Sequence, residues 1–179
     1  MAIKKWQYDP AHSEVQFKVR HMMVSNVSGH FEKFDISMET NDFDFTTAKV
    51  NFTADVNSIT THVEQRDNHL KSADFFDAAN HPQLIFKSTK ITKTGDNEYE
   101  MEGELTMRET TKLEVFDVEN IGMFKDASGK TRAGFEISGK IKRLDYGLKY
   151  NPALETGGVV VGNEVRITAN VEVLTEDNA

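Results

Sequence analysis

Along most of the chain apolar and polar residues alternate one for one, the mark of strands whose two faces meet different surroundings. Val15, Phe17 and Val19 alternate with Glu14, Gln16, Lys18 and Arg20. The rhythm resumes at Phe34, Ile36 and Met38, and again at Val50, Phe52, Ala54 and Val56. It is cleanest over Tyr99, Met101, Gly103, Leu105 and Met107, where the intervening positions are Glu98, Glu100, Glu102, Glu104 and Thr106. Two further strands follow at Ala133, Phe135, Ile137, Gly139, Ile141 and at Val165, Ile167, Ala169, Val171, Val173. Mixed-phase runs over Leu84 to Ile91 and Leu113 to Val118 bring the total to about eight.

Turn residues separate several of these runs: Thr94 to Asn97, Asp126 to Gly129, and a long glycine-bearing stretch from Tyr146 to Gly162. One segment breaks the β rhythm. Thr61-His-Val-Glu64 has the spacing of a capping box, and Val63, Asp67 and Leu70 then share a helical face. A second short turn, Ala73 to Ala79 with Phe75 and Phe76, ends before His81-Pro82. About eight alternating strands and one helical insertion predict an all-β fold, a closed antiparallel barrel spanning residues 1–179 as a single unit. A β-sandwich shares the same strand count.

Several inward positions are small: Ala54, Gly103, Ala133, Gly139 and Ala169. Singly, a strand glycine reads as a bulge or a bend that lets the barrel curve. As a set they remove wall volume, and the Phe, Met, Val, Ile and Leu between them would leave an apolar space that favours hydrocarbon over water. The inward methionines Met38, Met101 and Met107 suit a flexible tail, because the unbranched thioether adapts to irregular shapes.

Charge and missing chemistry narrow the function. Asp and Glu number 29 against 21 Lys and Arg, a formal charge of −8 that disfavours nucleic acid and anionic lipid surfaces. There is no cysteine, hence no disulfide framework and no thiolate chemistry. The chain as written lacks the apolar run of a secretory signal or a membrane span, so a cytoplasmic location is expected, or a periplasmic one if a leader has been removed. Gly129-Lys130-Thr131 is the tail of a phosphate loop without its first glycine, since Phe124 stands there, and reads as a hairpin turn. His62 and His69, seven apart on one helix, would be separated by about 10 Å of rise, too far to share a zinc, and no metal or cofactor is expected. No Gly-x-Ser-x-Gly nucleophile occurs. The pairs Arg66-Asp67 and Arg143-Asp145 read either as charged groups at a cavity mouth or as structural anchors.

The chain resembles the YceI family of bacterial polyisoprenoid-binding proteins from about Trp6 to Val173. The resemblance rests on Asp9-Pro-Ala-His-Ser13, Val19-Arg-His-Met22 and Val27-Ser-Gly-His-Phe31. Its most specific part is Ser58-Ile-Thr60, Arg66-Asp-Asn-His-Leu70, Ser72-Ala-Asp-Phe-Phe-Asp77, His81-Pro82 and Phe86-Lys-Ser88. Gly103-Glu-Leu-Thr-Met-Arg108 with Thr111-Lys112, Arg143-Leu-Asp-Tyr-Gly147 and Val161-Gly-Asn-Glu-Val165 extend it. Glu109 departs from the family's usual glycine in a predicted turn. The resemblance implies a lipocalin-like barrel whose channel holds a polyisoprenoid chain, with quinone or phosphorylated heads among the ligands, and frequent homodimers.

The resulting expectation is a lipid carrier or store and not an enzyme. Its walls are Phe17, Val19, Phe34, Ile36, Met38, Phe52 and Ala54, then Met101, Gly103, Leu105, Phe135, Ile137 and Gly139. Leu70, Phe75 and Phe76 join them from the helical segment, with Arg66 and Arg143 at the mouth. The alternatives are an enzyme acting on an isoprenoid head group through His69, Arg66 and Asp67, and a packed-core scaffold with an acidic outer face.

Overall fold

The computed structural model of the chain describes residues 2–152 and 160–176. Its strands are β1 (Ile3–Tyr8), β2 (Glu14–His21), β3 (Ser25–Phe31), β4 (Phe34–Asn41), β5 (Asp44–Asp55) and β6 (Ile59–Thr60). After helix α1 (Glu64–Lys71) come β7 (Gln83–Lys93), β8 (Glu98–Met107), β9 (Thr110–Lys125), β10 (Lys130–Lys142) and β11 (Val161–Glu176). All pairings are antiparallel, and the ring β1-β4-β5-β7-β8-β9-β10-β11 closes through β1 on β11. Among the described residues it is a closed eight-stranded barrel with one short α-helix.

The three extra strands are the second halves of kinked staves. β1 and β2 lie end to end, as do β3 with β4 and β5 with β6, and each half pairs with the matching half of its neighbour. β11 is long enough to serve both halves of the first stave, β1 at Leu174 and β2 from Val165 to Asn170. The kinks have local causes. Pro10 has no N–H for a ladder, and Asp9 accepts a hydrogen bond from the Ala11 amide to start a 3-10 turn. In the third stave Asp55 does the same for Asn57, and Ser58 Oγ accepts from the Lys33 amide at 2.9 Å, tying that kink to its neighbour.

The interior divides into two apolar clusters. At the end where the β4–β5, β7–β8 and β9–β10 hairpins turn, Trp6, Phe45 and Phe135 close the barrel: Phe45 lies 5.9 Å from Trp6 and 5.0 Å from Phe135, ring to ring. Trp6 is fixed there by donating from Nε1 to Thr40 Oγ1 at 2.9 Å. The opposite end carries α1, the Phe75–Phe76 turn and the segment after β10, over a larger cluster that includes Phe31, Phe86, Phe116 and Tyr146.

Two local readings need correcting. The capping box does not form: Val63 occupies the N-cap without a side-chain bond. His62, with φ of 65°, turns the chain so that Thr61 meets the side of α1, where Asp67 Oδ1 accepts both the Thr61 amide (2.7 Å) and its hydroxyl (2.5 Å). His62 also precedes α1 and is not on one helix with His69; its ring sits 5.6 Å from that of His30. The Asp126 to Gly129 turn is the expected hairpin, with Asp126 Oδ1 accepting from the Ser128 and Lys130 amides and Gly129 at φ of 88°. Residues 153–159 of the glycine-bearing stretch lie outside the described residues. Among the described residues no helix is long and apolar enough to cross a membrane.

Candidate functional site

Inside the barrel runs a cavity of about 610 Å³, which excludes a fully packed core. Its floor is the Phe45–Phe135 cluster with Tyr99, and its walls follow the inward positions of every stave. Polar side chains line it at one end, where Arg20, His21, Gln65, Arg66 and His69 surround the opening with Tyr150. A cavity of this size, apolar along its length and polar at one mouth, falls in the range of small-molecule sites.

Fourteen of the residues expected at the site do line this space. Phe17, Val19, Ile36, Met38 and Phe52 contribute from the first three staves, and Met101, Leu105, Phe135 and Ile137 from the later ones. Leu70, Phe75 and Phe76 cover the open end, and Arg66 and Arg143 stand there too. Phe34, Ala54, Gly103 and Gly139 do not line it. Phe34 packs on Tyr8 at 5.5 Å and Phe52 at 5.9 Å, held beside Tyr8 by the bond from the Tyr8 hydroxyl to its carbonyl. Ala54 is buried between its ladder partners Phe34 and Leu84.

The two glycines reveal why the hollow was misplaced. A Cβ on Gly103 would lie 2.3 Å from Phe86 Cζ, and one on Gly139 2.4 Å from Phe116 Cδ1. Gly29 has the same relation to Phe17, its ladder partner, at 2.5 Å. Each glycine therefore seats a neighbouring ring flat against the sheet, the aromatic cover of a strand glycine, and does not open space for a ligand. Phe86 and Phe116 then meet edge to face at 5.4 Å, so these two glycines and two rings form one unit across β7, β8, β9 and β10. The cavity wall is the exposed side of those rings. Both phenylalanines escaped the sequence reading because their strands are out of clean phase, and Phe45 and Tyr150 because they stand at a strand start and in a loop.

Neither charged pair forms as sequence neighbours. Arg143 is only 3% exposed, and its guanidinium donates to four backbone carbonyls: Gly162 (2.7 Å), Leu148 (2.5 Å), Tyr150 (3.0 Å) and Val161 (2.9 Å). It staples the segment after β10 to the start of β11. Burial pushes its pKa down, yet a guanidinium stays protonated in proteins. Arg66 donates from Nε to Thr61 Oγ1 (2.7 Å) and from Nη2 to the Thr61 carbonyl (2.9 Å), so Arg66 and Asp67 grip Thr61 together and anchor α1 to β6. His69 bonds to Asp74 at 2.8 Å, with its ring edge-on to Phe75 and Tyr150.

A further organiser of the mouth is Arg108, whose Nη1 reaches the carbonyls of Ala73, Phe75 and Gly147. It can do so because it takes the left-handed place in the β8–β9 turn, at φ of 54°. Glu109 is not left-handed, so the family's glycine is dispensable at that position. Buried Tyr146 donates to Glu114 at 2.8 Å, and its burial raises its pKa far above the usual phenol value. Away from the cavity, Asp9, His12 and Glu172 place potential metal-ligating atoms within 4.8 Å of one another. Arg132 Nη1 already meets both carboxylates, at 3.3 and 3.2 Å, so the group is an ion-pair network compensated by a guanidinium.

A closed antiparallel barrel holding an apolar cavity with one open end is a ligand-enclosing barrel by architecture. The chain belongs to the family defined by the YceI-like domain, whose sequence model matches residues 6–173. It is 41% identical over 169 residues to a UPF0312 protein of Staphylococcus epidermidis, covering 94% of this chain and 96% of that protein. Among solved structures, BcnA of Burkholderia cenocepacia superposes with a TM-score of 0.80 at 23% identity, over 92% of this chain and 98% of that one. The Campylobacter jejuni YCEI protein gives 0.76 at 29% identity, over 87% and 88%. A polyisoprenoid binding domain from Saccharophagus degradans, implicated in plant cell wall breakdown, gives 0.65 at 13% identity, over 95% and 98%, a likeness of fold alone.

Proposed function

We propose that the chain binds a long-chain isoprenoid lipid, with its tail along the cavity and its head at the mouth, and carries or stores it unchanged. The observation that carries this reading is the polarity of the cavity: largely hydrocarbon from the Phe45 floor upward, with the arginines and histidines of its lining gathered at the open end. Each buried CH₂ contributes roughly 0.8 kcal/mol, so several isoprene units offset an association cost of about 4–15 kcal/mol. On this reading a quinone or phosphate head meets Arg66, His69 and Tyr150, which line the cavity at its mouth. The carrier reading is favoured over catalysis because the described residues that line the cavity include no Ser, Thr, Cys, Lys, Asp or Glu to serve as nucleophile or carboxylate base. The test is native mass spectrometry of protein purified without detergent, with the organic extract identified. A copurifying long-chain isoprenoid is expected. Absence of any bound species, together with no uptake of added polyprenol or polyprenyl phosphate, overturns the reading, and turnover of the head group overturns its non-catalytic part.

A further inference from the structure

A lipid that fits the cavity is nearly insoluble, so a barrel that holds one must receive it from an apolar source. The rim of the cavity shows how contact with such a source could be made. The β2–β3 hairpin turns through His21-Met22-Met23-Val24, with Met22 and Met23 left-handed at φ of 51° and 64°. Two successive positive φ angles are a backbone that Asn and Gly adopt far more readily than methionine. Two methionines there keep local strain in order to present apolar side chains. Met22 is 46% exposed, Met23 59% and Val24 84%, three consecutive apolar residues projecting from the tip.

This tip belongs to the mouth. His21 and Val27, on either side of it, line the cavity, and the Met22 amide donates at 2.8 Å to the carbonyl of Val160, another lining residue. Val63 and Tyr150 add exposed apolar surface on the same rim.

Charge supplies a second, independent observation. Despite the net negative charge, the outer sheet behind the tip is basic. Lys18, Arg166 and Lys140 face one another in register across β2, β11 and β10, all exposed, and Arg20 and Lys142 follow toward the mouth. Glu164 is shared between Lys140 and Arg166 at 3.7 Å each. Like charges in direct register repel, and one carboxylate offsets only part of that repulsion. Toward the closed end the in-register row is acidic instead, with Glu98, Glu119 and Glu136 across β8, β9 and β10. A barrel so polarised approaches a phosphate-bearing surface with its mouth forward.

We propose that the Met22–Val24 tip and the cation row behind it dock the barrel, mouth first, on a lipid bilayer. The methionines enter the interface and the lysines and arginines meet lipid phosphates, placing the opening against the membrane for transfer of a lipid. The transfer role rests on the lipid-cavity reading, whereas docking itself does not.

The test compares the parent chain with a Met22→Asn, Met23→Gly, Val24→Thr variant, whose turn residues suit the two positive φ angles, so it should unfold at the same or higher temperature. Flotation uses phosphatidylcholine vesicles with and without about a third phosphatidylglycerol, over a salt series. The parent should float, more so with phosphatidylglycerol and less as salt rises, and the folded variant should lose roughly tenfold or more in vesicle partitioning. Transfer of a fluorescent polyprenol from vesicles should slow in the variant, with uptake from detergent micelles unchanged. A parent that does not float, or a folded variant that floats equally, overturns docking. So does sedimentation showing a parent dimer that the variant abolishes. If neither chain takes the probe from micelles, the cavity reading fails, and flotation still decides docking.

Discussion

Replacing Gly139 by alanine tests whether the glycines seat rings or open a channel. Gly139 has no left-handed φ, so the backbone accepts a side chain, and loss of glycine's unfolded-state freedom would by itself stabilise by about 0.4–1 kcal/mol. Against this, the new Cβ would lie 2.4 Å from Phe116 Cδ1 and 2.9 Å from Cε1, both well inside ordinary contact. The ring must tilt, breaking its edge-to-face contact with Phe86. Overpacking costs about 1–3 kcal/mol, and because Phe116 borders the cavity it has somewhere to go, which favours the lower half of that range. The net expectation is a loss of about 1 kcal/mol, a fall in Tm of about 2–4 °C, with reduced uptake of a polyprenol probe as the ring invades the cavity. The deciding assay is a double-mutant cycle by urea denaturation with Phe116→Ala, which removes the ring atoms the Cβ would strike. Coupling of about 1 kcal/mol or more is expected, with the double variant more stable than additivity allows. Gly139→Ala that leaves stability and uptake unchanged, or additivity within about 0.5 kcal/mol, would refute the seated-ring account.

Arg143→Lys should cost about 2–4 kcal/mol in chemical denaturation, because a single ammonium cannot reach four carbonyls held by a planar fork, and the residues after β10 should gain amide exchange first. Arg66→Ala and Thr61→Val both break the α1 anchor; if Arg66 also meets the head group, only Arg66→Ala will weaken a polyprenyl phosphate by roughly tenfold more than the matching alcohol, and equal losses in both variants would confine Arg66 to anchoring. The hydrogen bond that His12 donates to Asp9, then the charges of Asp9 and Glu172, raise the pKa of His12 above 6.5, so the bond's stabilisation is fully present below that value and lost as pH climbs through the folded-state pKa; an NMR titration should show the raised midpoint, and Asp9→Asn should lower it. For the homodimer that the family resemblance implies, we propose the outer face of β9, where Leu113, Val115, Ile121 and Phe124 are exposed; Ile121→Lys should weaken any dimer seen by sedimentation at least tenfold while changing stability by less than about 0.5 kcal/mol.

The architecture was largely legible because alternation is a property of each strand alone. The eight runs read from the sequence correspond to β2, β4, β5 and β7 to β11, and they include a representative of every stave of the barrel. β1 was hidden by Lys4, a lysine at an inward position, buried with its ammonium 4.7 Å from the centre of the Phe43 ring. That cation–π contact joins residues far apart in the chain, and nothing in a local period announces it. β3 was hidden by composition, since Ser25, Asn26, Ser28 and His30 leave Val27, Gly29 and Phe31 too little apolar contrast to stand out.

The site was less legible, for a reason the seated rings make plain. Alternation tells which face a residue points to, whereas lining a cavity depends on what the neighbouring strand points at the same place. Gly103 and Gly139 are inward as read, but Phe86 and Phe116 occupy the volume those glycines release, and the register that brings them together is a tertiary fact. The arginines follow the same logic. Arg143 beside Asp145 and Arg66 beside Asp67 suggest ion pairs in the sequence, yet a guanidinium buried under a loop is satisfied best by the carbonyls that a loop leaves unpaired. The mouth is thus built from main-chain acceptors gathered by Arg66, Arg108 and Arg143, and its apolar lining from rings that glycines make room for. Substitutions at the glycines should therefore change the cavity by moving rings, and substitutions at the arginines should change it by releasing loops.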